Sequence, residues 1–215
     1  MSDIRLFLVF GEDPSDRAAL SHLLRALSPV GSKPTVKNLR QPIILSRIAK
    51  AGKRRKIAEE IAAFSKGHEK DGCKVFAIAH RDCDAVEPKH IADASRIECE
   101  LKAAGVANPI AAVPAWEIEA WWMLFPAALQ SVRSCWNSID YGHQDVGAII
   151  NAKERLIHDL RPIDKNLRNK CPEYKEADGI RISEFIFQNP EHINLVKAQN
   201  DSFNEFRKKV LRAFL

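Results

Sequence analysis

Residues 4–20 read IRLFLVFGEDPSDRAAL, and the fold follows from how this stretch is divided. The run 4–10 is short, continuous and apolar, the pattern of a strand buried on both faces. Asp13 can cap the helix that follows, Pro14 suits its first position, and Asp16 sits in its first turn. Leu20, Leu23, Leu24 and Leu27 then recur at helical spacing and define one core face. Three acids crowd the strand tip, and a turn needs one. Asp13 and Asp16 have capping work; Glu12 has none and is available for chemistry.

Outward from this unit the alternation continues. Residues 35–40 form a weak strand, and 53–66 a helix with Ile57, Ile61 and Phe64 inward. KVFAIAH (74–80) is a second strongly buried strand. A helix over about 90–104 places Ala94, Ile97, Leu101 and Ala104 on one face, and 109–115 is a further short strand. Strand–helix alternation predicts a parallel sheet covered by helices. After residue 116 the character changes. WEIEAWWMLFPAAL reads as helix broken at Pro126, 134–149 is irregular, and helices follow near 151–160, 180–187 and 202–213. Phe203, Phe206, Val210 and Phe214 share a face of the last. The expectation is an α/β core over residues 1–125 and a helical C-terminal extension over 126–215, packed together as one unit. Trp121 and Trp122 are adjacent, so only one of them is expected to face inward.

The chain has 215 residues and a formal net charge of +5, which permits a polyanionic partner. No apolar run approaches the roughly 18 residues of a membrane span. No signal peptide is evident at the N-terminus. Cysteines 73, 83, 99, 135 and 171 show neither CxxC nor zinc-finger spacing and read as free thiols. A cytoplasmic protein with no membrane partner is expected.

In open parallel sheets functional groups gather at the carboxyl ends of the strands. Glu12 follows the first strand. His80-Arg81-Asp82-Cys83-Asp84 follows the strand at 74–80, and in an extended segment Asp82 and Asp84 point the same way while Cys83 points away. Glu117 and Glu119 follow the strand at 109–115. Like charges at one edge raise one another's pKa unless a cation sits among them. Mg²⁺ or Mn²⁺ is the expected cofactor, able to polarise a phosphodiester and activate water.

These residues carry a resemblance. Glu12-Asp13-Pro14-Ser15-Asp16 after a hydrophobic strand resembles the first Toprim motif, and Asp82-Cys83-Asp84 resembles the Toprim DxD. Small prokaryotic Toprim-like proteins similar to the RloB type, and the overcoming-lysogenization-defect nucleases, carry such motifs. VPAWEIEAWW resembles the Glu-x-x-Trp segment of the former, with Glu119 at its acidic position. YKEADGIRISEFI (174–186) and NDSFNEFRKKVLRAF (200–214) resemble its later segments, so the likeness runs over nearly the whole chain. It implies a Toprim-like core and a metal-dependent nuclease or nickase. Glu12, Asp82 and Asp84 would hold metal, with Glu119 completing the catalytic set. It also implies nucleic acid, DNA foremost, as partner, and a role in phage defence beside an ATPase on another chain. One position departs: the usual Gly is Asp13, which tolerates left-handed backbone better than most residues.

Other candidates surround this set. Lys53, Arg54, Arg55 and Lys56 form the densest basic run and are candidates for phosphate-backbone contact. Lys153 could stabilise charge on a phosphate, His80 could assist a proton transfer, and Asp16 and Glu117 could support the metal site. Two alternatives stand beside the nuclease. One is a non-catalytic Toprim-like module that binds nucleic acid or a partner ATPase. The other is a phosphatase, because Asp82-Cys83-Asp84-Ala85-Val86 also resembles the haloacid-dehalogenase nucleophile motif.

Overall fold

A computed structural model describes residues 4–11, 13–39, 50–69 and 73–215. Among them, β1 (Arg5–Phe10), β2 (Thr35–Asn38), β3 (Lys74–His80) and β4 (Pro109–Ala112) form one sheet in the order β2-β1-β3-β4. Every pairing is parallel. Three helices belong to the sheet unit: α1 (Pro14–Ala26), α2 (Ala51–Glu69) and α3 (Lys89–Ala103). The chain then continues through α4 (Glu119–Trp122), α5 (Pro126–Val132), α6 (Ala152–Leu160), α7 (Lys165–Arg168), α8 (Asp178–Gln188) and α9 (Asp201–Arg212). The fold is α/β, a parallel sheet flanked by helices with a helical C-terminal extension.

The continuous apolar runs follow from burial on both faces. Phe7 and Val9 of β1, with Phe76 and Ile78 of β3, pack with the α1 leucines and the C-terminal helices. Their alternates Leu6, Leu8 and Phe10, with Val75, Ala77 and Ala79, pack with Ile57 and Ile61 of α2 and with Ala94, Ile97 and Leu101 of α3. The first cluster continues from Phe7 to Ala213, so residues on both sides of position 125 share one core. Asp13 caps α1 as expected, its carboxylate accepting from the Ser15 backbone N–H, with Pro14 at the first helical position. Its φ is −87°, so the position that departs from the Toprim pattern makes no demand for left-handed backbone.

Several expectations are corrected. Trp121 and Trp122 are both fully buried. Helix α4 has only four residues and is covered by the C-terminal elements, so adjacent side chains both find a core. Trp121 stacks on Phe206 with centroids 5.1 Å apart. Phe64 is exposed rather than inward. The buried stripe of α2 runs through Ile57, Ala58, Ile61, Ala62 and Ser65, which leaves Phe64 on its flank at 100° per residue. The expected break at Pro126 is present: α4 ends at Trp122 and Pro126 starts α5. The five cysteines are not all thiols: Cys135 and Cys171, 36 residues apart in sequence, form a disulfide. Folding of the C-terminal segments brings them together, and no local spacing announces it. The pair removes the thiol count as an argument for a reducing compartment. No helix among the described residues is long and apolar enough to cross a membrane.

Ser202, at the start of α9, ties the extension to the core. Its hydroxyl accepts from the Ala115 N–H (3.0 Å) and Trp121 Nε1 (2.9 Å) and donates to Asn200 (2.6 Å). Ser202→Ala strands two buried donors, a cost of about 1–3 kcal/mol for each. At ~2–4 °C per kcal/mol for a chain of this size, the melting temperature should fall by roughly 4–24 °C. An unchanged melting temperature would show that this hub does not hold the extension.

Candidate active site

The parallel directions of β1, β3 and β4 bring their carboxyl ends to one edge. Beyond β1 the backbone passes close to His80, the last residue of β3. A Cβ on Gly11 would lie 3.2 Å from the His80 Cβ, so glycine fits this approach. The segments beyond β3 and β4 remain hydrogen-bonded after the regular strands end. Arg81 N–H donates to Ala112 (3.1 Å), Cys83 N–H to Pro114 (3.1 Å) and Asp84 N–H to Trp116 (3.0 Å); Trp116 N–H returns a bond to Ala85 (2.8 Å). This ladder buries Cys83 in the core and turns Asp82 toward the open edge. The extended geometry expected for the whole Asp82–Asp84 stretch stops at Asp84, whose φ is +53°, paired with Trp116 at +59°. Two non-glycine residues in the left-handed region store strain of order 1–3 kcal/mol each, a pattern that clusters at functional sites. Asp84 therefore stands at the rim with its side chain 73% exposed, 3.6 Å from the Arg81 guanidinium.

The result is a cleft of about 370 Å³. Asp13 and Asp16 enter from the α1 end, and Asp82 and Asp84 from β3. Glu117 and Glu119 enter from beyond β4, with Lys153 of α6 and Glu176 opposite. Glu119 is 3% exposed and accepts from the Tyr174 hydroxyl at 3.1 Å. Glu117 accepts from the Lys153 backbone N–H at 3.1 Å, which ties α6 to the site. The Lys153 ammonium pairs with Glu176. Arg81 reaches Asp93 of α3 at 3.4 Å as well as Asp84. His80 lies between two acids, 3.9 Å from Asp16 and 3.6 Å from Asp82.

The electrostatics of this cleft are frustrated. Burial pushes the Asp16 carboxyl up to about 6, against the pull of His80 and with the push of Asp82. Burial, with Asp82 and Glu117 nearby, pushes Glu119 up to about 8. Glu117 is raised by burial too. Burial would lower His80, but its contacts with Asp82 and Asp16 outweigh this and raise it. Tyr174 is raised by burial and by the neighbouring Glu119. Near neutrality Glu119 thus retains a proton that it would lose in water. Two buried atoms, His80 Nε2 and Asp82 Oδ1, have no hydrogen-bond partner. Among the described residues no three His, Cys, Asp or Glu side chains are grouped closely enough to hold a metal ion.

Of the residues singled out from sequence, Asp82, Asp84, Glu119, Glu117, Asp16, His80 and Lys153 meet in this cleft. Glu12 lies outside the described residues. Lys53, Arg54, Arg55 and Lys56 form the start of α2 and do not line the cleft; Arg54 pairs with Glu100 and Arg55 with Glu59, both at 2.8 Å. Sequence reasoning missed Arg81, Tyr174 and Glu176. Arg81 lies inside the HRDCD stretch, where the acids around it carry the stronger signal. Tyr174 and Glu176 reach the site from more than 50 residues beyond Glu119, and nothing local marks them. No family model, curated protein or solved structure matches the chain.

The raised acids fix a pH dependence. A carboxyl whose folded pKa exceeds its unfolded value keeps its proton in the native state, so stability is present at low pH and lost as pH rises through the folded value. For Glu119 the window runs from its ordinary 4.5 to about 8, and for Asp16 from 3.8 to about 6. His80, also raised, has the same sign. In EDTA the melting temperature should therefore fall between pH 5 and pH 8. Glu119→Gln should flatten that slope, and a slope unchanged by this substitution would mean Glu119 is ionised in the folded cleft.

Proposed function

We propose that the protein is a metal-dependent nuclease or nickase of Toprim type that hydrolyses nucleic-acid phosphodiesters. The observation that carries this reading is the convergence of Asp82, Asp84, Glu117 and Glu119, from the ends of two neighbouring parallel strands, on one cleft where burial raises the Glu117 and Glu119 carboxyls. Such a cluster is costly unless a cation shares it. The parallel sheet flanked by helices is consistent with a Toprim-like core.

The donor chemistry suits a hard divalent cation, although the described side chains alone do not form a three-donor group. All the candidate donors are oxygens, Asp82 Oδ1 is buried with no hydrogen bond and only the His80 ring at 3.6 Å, and the space is polar. Asp82 and Asp84 would hold Mg²⁺ or Mn²⁺, together with Glu12, which the sequence sets between Gly11 and Asp13. When bound, the cation supplies Lewis-acid polarisation of the phosphoryl oxygens. The chain supplies the rest. Tyr174 and the Lys153 N–H orient Glu119 and Glu117. Glu119, protonated at neutral pH, can give a proton to a departing oxygen. The Lys153 ammonium is placed to meet negative charge on a phosphate once it releases Glu176. The resemblance implies phage defence with a partner ATPase.

Plasmid nicking tests the reading. Purified protein should nick with Mn²⁺ or Mg²⁺, EDTA should abolish nicking, and Asp82→Ala should lower the rate at least about 100-fold, the scale of losing a principal electrostatic group. Cleavage retained by Asp82→Ala would locate the activity elsewhere and refute the assignment.

A further inference from the structure

We propose that the phosphate backbone of the nucleic acid is held in the groove between α6 and the segment 161–170, not on the basic start of α2. The proposal rests on the phosphodiester reading of the acidic cleft, and names where its polymeric substrate lies.

Helix α6 connects the two places. Lys153, in its first turn, lines the acidic cleft, and its backbone is tied to Glu117. Two residues on, Arg155 and then His158 line a second groove of about 620 Å³, whose other wall includes Arg161, Ile163 and Arg168. That volume lies within the roughly 300–1,000 Å³ typical of ligand clefts. A bound strand crossing the start of α6 would meet this groove within a helix only nine residues long.

The charges on this wall are arranged for a polyanion. The segment RPIDKNLRNK (161–170) carries four Lys and Arg against the single Asp164. Arg161 and Arg168 line the groove, and Lys165 and Lys170, exposed on the same segment, flank it outside its lining. Among the described residues no carboxylate pairs with Lys165, Arg168 or Lys170, while Arg161 has only a 4.0 Å contact with Glu173. The Arg168 head is fixed by its Nε donating to the Pro162 carbonyl at 3.1 Å, a bond that leaves its charge unneutralised. Two acids line the groove. Asp159 is consumed as an organiser: it accepts from Tyr141 (3.0 Å) and Arg155 (2.6 Å), and so holds the Arg155 side chain along the wall. Asp140 accepts from the Gly142 N–H at 2.8 Å. Ile163 is 82% exposed at the groove, an apolar surface that can meet a sugar or base beside the phosphates. The α2 run, by contrast, lines neither this groove nor the cleft, and its two arginines are paired within the protein at 2.8 Å.

Fluorescence anisotropy in EDTA isolates binding from cleavage. The probes are fluorescein-labelled 30-mers: single-stranded DNA, duplex DNA and single-stranded RNA. The main variant combines Arg161→Gln, Lys165→Gln, Arg168→Gln and Lys170→Gln. A second, Arg161→Glu, reverses one exposed charge that lines the groove and guards against misfolding. Both should bind the preferred probe at least about tenfold more weakly. Their slope of log affinity against log salt should shrink by ~0.9 for each duplex-DNA phosphate that the variant no longer neutralises. Lys53→Gln with Lys56→Gln should stay within about threefold of the parent. Binding unchanged in both groove variants, weakening confined to the α2 variant, or no binding of any probe by the parent protein would each overturn the proposal. A parent that binds through the groove yet fails to nick with Mn²⁺ would refute the hydrolase reading and leave the groove standing.

Discussion

The parallel pairing of β3 with its two neighbours is the constraint on which the rest depends. Because β1, β3 and β4 run the same way, everything the chain places after a strand emerges at one edge. The pairing is enforced by burial: each strand is apolar on both faces, and a slip of one residue would exchange one packed layer for the other. The hydrogen-bonded ladder then runs on past the strands, through Cys83 and Trp116, into segments that carry acids rather than apolar residues. Rigid scaffold and reactive edge are thus one continuous piece of backbone.

What the scaffold brings together, electrostatics pushes apart. Glu119 is almost wholly buried, accepts from the Tyr174 hydroxyl, and its carboxyl is pushed up to about 8 by burial with Asp82 and Glu117 nearby. His80 is wedged between Asp16 and Asp82 at distances too long for good hydrogen bonds. A protein selected only for stability would fill this cleft with apolar side chains, since replacing buried charges in that way is often stabilising. The strained backbone at Asp84 and Trp116 points the same way. The C-terminal extension counters these costs: Ser202, Tyr174 and the start of α6 each hydrogen-bond to the segment that follows β4.

Much of this was legible in the residues. The two strongest strands are apolar runs, Asp13 announces its helix, and acids follow three of the four strands, so the sheet and most of the cleft could be read directly. What could not be read depends on contacts distant in sequence. Phe64, seven residues from Ile57, lies at the edge of the buried stripe, and only the packing of α2 on the sheet decides its exposure. Burial of both Trp121 and Trp122 requires knowing that a four-residue helix is enclosed from every side. Cys135 and Cys171 meet only because the extension folds back on itself. Asp84 turns out of the extended path because its N–H bonds to Trp116, a partner 32 positions away that no period predicts. The basic run at 53–56 is conspicuous in sequence, yet its arginines are drawn into ion pairs within the fold.

The central claim is that the frustrated acids of the cleft are assembled for a divalent cation. Mn²⁺ binding followed by electron paramagnetic resonance on the purified protein tests it without any assumption about substrate. The account predicts that Mn²⁺ binds, that binding weakens from pH 8 to pH 6 as the raised carboxyls take up protons, and that Asp82→Asn lowers affinity at least about tenfold, the scale of losing one charged ligand. Binding that is absent at pH 8, or equal in Asp82→Asn and the parent protein, would contradict it.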